Sequence, residues 1–130
     1  MDTATATATT EQLPSTIEIE GSHYEVEPAT ISEAYIGYET HGILIANLSF
    51  EGPGWGQREP AYNRTPQDLD RYLRGVLTVT KASDWSRVAD TPVFALRKNL
   101  MGAIEGFISE DQKRILFFDG GRSSKVIFRD

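Results

Sequence analysis

A chain of 130 residues with no cysteine and a net charge of −6 has room for a single domain and excludes disulfides, thiol nucleophiles and cysteine metal sites. Residues 1–60 hold ten acidic side chains against one basic, Arg58, and residues 61–130 hold nine against twelve. That excess speaks against general nucleic-acid binding, which depends on neutralising phosphates, and suits a basic protein surface or a cation. No run approaches the roughly 18 apolar residues of a membrane span. Residues 1–10 lack the basic start and apolar stretch of a signal peptide. A cytoplasmic protein without a membrane partner is expected.

Residues 1–14 alternate Thr and Ala before Gln12-Leu13-Pro14, with little to bury, and read as a disordered arm ahead of a domain spanning 15–130. From Thr16 the pattern has period two. Ile17 and Ile19 alternate with Glu18 and Glu20, and Tyr24 and Val26 with Glu25 and Glu27. A hairpin turning at Gly21-Ser22 would set Ile19 against Tyr24 and Ile17 against Val26, with Pro28 as its end. Residues 29–38 and 42–50 are the next two strands. In the second, Leu44, Ala46, Leu48 and Phe50 share one apolar face, the expected core face. Residues 52–65, rich in Gly and Pro, read as an irregular loop.

The main helix is expected over 66–79. Thr65 is a suitable N-cap, Pro66 suits the first helical position and Asp68 sits near the positive end of the dipole. Leu69, Tyr72, Leu73, Val76 and Leu77 form one stripe centred on Leu73, to be laid on the Leu44–Phe50 face. Arg71 and Arg74 should face solvent. A short helical turn from Ser83 should bring Trp85 and Val88 inward. Strands follow at 92–97, 101–108, 115–118 and 125–128, with turns at 110–113 and at Gly120-Gly121. The order is that of an α+β fold, a largely antiparallel sheet packed against one main helix.

Three constellations could carry function. Glu39 and His41, two apart on a strand, would point the same way and could share a proton or a metal, but no third ligand accompanies them. The Gly52–Gln57 segment, neither a Walker A loop nor a dinucleotide fingerprint, offers Trp55 and Tyr62 for stacking. With Gln57, Glu39 and His41 they form a candidate small-ligand or nucleotide site. Glu18, facing Glu25 with Glu20 and Glu27 alongside, would form an acidic face suited to a basic partner. Arg71, Arg74, Lys81 and Arg87 could form a basic patch. No nucleophile elbow, zinc-protease helix or EF-hand loop is present, so no catalytic residue, cofactor or metal is assigned.

The run Gly37-Tyr-Glu-Thr-His-Gly-Ile-Leu-Ile-Ala-Asn-Leu48, then Gly-Trp-Gly-Gln57, then Trp85, Pro92-Val93 and Ile104-x-Gly106 resembles small uncharacterised proteins of bacteriophages and prophages. Gln57 is followed here by Arg58-Glu59-Pro60-Ala61-Tyr62, where that family has Gly-Phe-Gly-Gly-Tyr. The resemblance implies a phage-type accessory protein in the host cytoplasm. Its expected action is non-catalytic binding of a host protein, as an anti-defence or host-takeover inhibitor, through the acidic face. A ligand sponge or a virion decoration protein are the alternatives.

Overall fold

The computed structural model describes residues 16–38, 40–58, 65–99, 102–118 and 124–129. The Thr-Ala arm, Glu39, Tyr62, Met101 and the Gly120-Gly121 turn lie outside these residues. Within them the chain runs through β1 (Thr16–Ile19), β2 (Ser22–Tyr38), β3 (Leu44–Gly52), β4 (Trp55–Arg58), α1 (Pro66–Thr80), a 3-10 turn (Trp85–Arg87), β5 (Thr91–Arg97), β6 (Gly106–Ser109), β7 (Arg114–Phe117) and β8 (Lys125–Phe128). The strands pair antiparallel in the order β4-β3-β2-β5-β6-β7-β8, with β1 added to β2. This is the expected α+β architecture.

β2 departs most from expectation. It continues through Pro28, where the hairpin was expected to end, for 17 residues. The backbone explains why proline is tolerated. Ile31 accepts a hydrogen bond from the Asp90 N–H on the β5 side, and backbone groups alternate between the two edges of a strand. The nitrogen of Pro28 therefore faces the opposite edge. There β1 pairing stops at Glu25 and β3 pairing starts at Thr30, so no ladder bond is lost.

The turn of the first hairpin is Glu20-Gly21, both left-handed (φ 52° and 85°), which is the type I′ geometry that hairpins favour. Ile17 thus pairs with Tyr24, Glu18 with His23 and Ile19 with Ser22, one turn position away from the expected register. The shift of two in pairing preserves the alternation, so Ile17, Ile19, Tyr24 and Val26 still share a face. The Gly52–Gln57 segment is likewise a tight hairpin rather than an irregular loop. Gly52 pairs with Trp55 across Pro53-Gly54, and β4 follows. β6 starts at Gly106, later than the strand expected from 101.

Each face of the sheet carries a buried core. One carries Ile31, Ala46, Leu48, Phe50, Val93, Ala95, Phe107 and Leu116 under α1. On the other, the sheet curls so that the β1–β2 hairpin meets β7 and β8. Ile19 packs there with Phe94, Leu96, Ile108 and Ile115, the Tyr24 and Phe117 rings lie 5.3 Å apart, and Lys125 pairs with Glu20 at 2.7 Å.

α1 is capped as expected: the Thr65 hydroxyl accepts from the Asp68 N–H at 3.1 Å. Its buried face is turned from the expected one. Leu69, Tyr72, Gly75, Val76 and Val79 are buried, whereas Leu73 and Leu77 are only half-buried. Gly75 accounts for the rotation. A Cβ there would stand 2.7 Å from the Leu116 Cδ1, so the missing side chain lets the helix settle on β7 and β8 as well as on β3.

Tyr72, fully buried against Trp85 and Phe118, is thus the central anchor. Tyr72→Ala should cost about 3–5 kcal/mol, and Leu73→Ala about 1–2 kcal/mol, in proportion to its smaller buried area. Urea midpoints of the two variants check the order. An equal or larger loss at Leu73 would put the helix in the orientation expected from the stripe alone.

Candidate interaction surface

Of the five residues expected to form a ligand site, three are described, and His41, beyond the end of β2, stands apart from Trp55 and Gln57 on β4. Glu39 and Tyr62 lie outside the described residues. His41 is exposed in the loop after β2, whose last residue is Tyr38. Gln57 is half-buried and donates to the Gly102 carbonyl at 3.4 Å. Among the described residues, no group of three His, Asp or Glu could hold a metal ion.

Trp55 folds back over Gly52, where a Cβ would lie 2.2 Å from the indole nitrogen. Its N–H donates to Glu27 Oε2 at 3.0 Å. The Arg97 guanidinium covers the ring, 4.2 Å from its centroid, and pairs with Glu27 Oε1. The Arg97 side chain is 5 % exposed. Trp55 is thereby occupied, with one face against a cation and its donor on a carboxylate. The cluster ties β2, β4 and β5 together and leaves the indole little to offer a ligand.

The expected acidic face is similarly dispersed. Glu27 belongs to that cluster, Glu20 pairs with Lys125, and Glu18 lies 4.0 Å from the His23 imidazole. Glu25 pairs in register with Thr16 on one side and Arg97 on the other. The basic residues are partnered too: Arg71 with Asp68, Arg74 with Asp70, Lys81 with Asp111 and Arg87 with Asp84. Hydrogen bonds from Lys81 and Ser109 hold the Asp111 carboxyl well below the usual carboxylate range. A groove of about 600 Å³ runs between α1 and β8 past Arg71 and Arg74, but its charges are balanced in this way.

What the sequence did not signal as a site is the far end of the β2–β3 ribbon. Ser32 is an extra residue in β2, a bulge whose hydroxyl donates to the Ser49 carbonyl at 3.3 Å. Beyond it Ala34 pairs with Leu48, Ile36 with Ala46 and Tyr38 with Leu44, so Ile36 and Tyr38 lie on the helix side of the sheet. Ile36 is 42 % and Tyr38 70 % exposed. Beside them a cleft of about 330 Å³ opens between the ribbon and the start of α1, lined by Ile43, Leu44, Pro66, Leu69, Asp70 and Leu73. Tyr35, 38 % exposed, stands on the opposite face.

The same stretch has an open edge. β5 pairs with β2 only as far as Ile31, and among the described residues no strand continues it. After the bulge Glu33, Tyr35 and Gly37 turn their backbone groups to β3, leaving those of Ala34, Ile36 and Tyr38 at the free edge. The sequence signal for this surface is the run Ala34-Tyr-Ile-Gly-Tyr38, apolar at successive positions and hence on both faces. Such a strand is either buried twice or left for a partner.

Breaking the Glu27–Arg97 pair from one side strands a buried charge. Glu27→Ala should destabilise by roughly 3 kcal/mol, whereas Glu27→Leu combined with Arg97→Met should recover most of the loss. Chemical denaturation of the two variants checks this, and a double variant as unstable as the single one would contradict it.

No helix among the described residues is long and apolar enough to cross a membrane. No protein-family model, curated protein or solved structure matches this chain.

Proposed function

We propose that this chain is a non-catalytic binding protein that grips a protein partner, in line with the accessory role that the phage resemblance implies. The observation that carries the reading is the apolar cleft at the end of the β2–β3 ribbon with Ile36 and Tyr38 exposed beside it. An amphipathic tyrosine beside an aliphatic pocket suits an anchor side chain from another protein. Several charges elsewhere are engaged in cross-ties, among them Glu20 with Lys125, Glu27 with Arg97 and Lys81 with Asp111, and no described constellation has the make-up of a catalytic centre. Net charge of −6, with the negative excess in residues 1–60, favours a partner with a basic rim and hastens the encounter. A host component, such as a defence or housekeeping machine, is the partner class this reading selects.

The test is recovery of the partner from expressing cells with three forms of the protein. The unaltered chain should retain it. Tyr38→Ser with Ile43→Ser should lose it while keeping the unfolding midpoint. Glu18→Lys with Glu25→Lys should weaken it most at low salt. Retention by the Tyr38 and Ile43 variant at full strength would remove the cleft from the interface.

A further inference from the structure

We propose that the open edge of β2 pairs with the same edge of a second copy of this chain, forming a two-fold dimer through one continuous sheet. The inference stands on the edge itself and not on the partner reading above.

An unpaired edge is a template for another strand, and proteins that remain monomeric guard it with lysine, proline, charge, a bulge or a covering element; the bulge here, at Ser32, lies at the end of the free stretch and not within it. From Ser32 to Tyr38 the edge has no lysine or proline. Its one charge, Glu33, is held by Arg58 at 3.0 Å. The edge-facing backbone groups belong to Ala34, Ile36 and Tyr38, so a second copy must meet them with the same set.

Antiparallel pairing about Tyr35 does this. Ala34 then exchanges both backbone hydrogen bonds with Ile36 of the second copy, and Ile36 with its Ala34. Glu33 falls opposite Gly37, so no like charges meet. Ser32 falls opposite Tyr38, the last residue of the strand. The pairing therefore ends where β5 occupies the edge at Ile31, and the free length of one copy matches that of the other. Tyr35 meets Tyr35 on the axis as a non-hydrogen-bonded pair, where facing side chains come closest. The apolar clefts of both copies then open on the same side of the joined sheet.

Because Tyr35 faces itself, charge placed there tests the register. In sedimentation velocity at micromolar concentration the unaltered chain should run as a dimer. Tyr35→Glu alone and Tyr35→Lys alone should each run as monomers, since like charges meet on the axis, and an equimolar mixture of the two should recover the dimer. A monomeric unaltered chain, a dimer of either single variant, or a mixture of folded variants that stays monomeric would each overturn the proposal. Should the charged variants not fold, Ile36→Pro gives the same reading. It removes an edge-facing N–H without touching the β3 ladder, and a folded dimer of it would equally overturn the proposal.

Discussion

One strand organises this protein. β2 runs unbroken for 17 residues, roughly 55 Å at about 3.3 Å per residue, far beyond an ordinary strand. Three separate strands pair along it: β1 at its start, β5 along its middle and β3 along its end. Two local features make that possible. Pro28 lies where neither edge asks for its missing donor, and the Ser32 bulge resets the alternation just where β5 leaves and β3 has begun. Without the bulge, Ile36 and Tyr38 would point to the face away from α1, and Leu44 would have no apolar neighbour across the ladder.

The curl of the sheet follows from that strand. Its first half carries the β1 hairpin over to β7 and β8, closing a second core around Ile19, Phe94, Leu96, Ile108 and Ile115. Its middle holds Glu27 beneath Trp55 and Arg97. Its last third leaves the body as a ribbon with β3, with an apolar cleft on one side and an open edge along it. Among the described residues the large exposed apolar side chains are Tyr35, Ile36 and Tyr38 on the ribbon and Phe128 on β8, so three of the four lie on the ribbon. That concentration, more than any single residue, is the basis for reading the chain as a binding protein.

Much of the fold was legible in the residues. The period of two from Ile17 to Val26 marked the first hairpin, the alternation from Leu44 to Phe50 marked a core face, and Thr65-Pro66 marked the start of α1. The misses have local physical causes. A proline ordinarily ends a strand, and only the gap between β1 and β3 spares β2 at Pro28. Glutamate disfavours the left-handed region, so nothing in Glu20-Gly21 announced a turn one position early. Pro53-Gly54 are suitable central residues for a tight turn, but the glycines around them read as a loop. Leu73 seemed central because a stripe of side chains ignores glycine, while Gly75 supplied the closest approach to the sheet.

The site was less legible still, because it depends on long-range pairing. The four glutamates of the hairpin looked like a pool of free charge, yet Glu20 meets Lys125 and Glu27 meets Arg97, residues far along the chain. Trp55 looked available for stacking until Arg97 was placed over it. Conversely, Tyr35, Ile36 and Tyr38 looked like ordinary strand residues, and only the end of β5 pairing at Ile31 exposes their edge.

Residue-resolved amide hydrogen exchange along β2 tests the central claim most directly. In dilute solution the amides of Tyr35 and Gly37, bonded to β3, should exchange slowly, while those of Ala34, Ile36 and Tyr38 exchange fast. At higher concentration Ala34 and Ile36 should gain protection and Tyr35 and Gly37 should change little. Uniform protection from Ser32 to Tyr38 at the lowest concentration would mean that the edge is already covered within one chain, and would contradict the account.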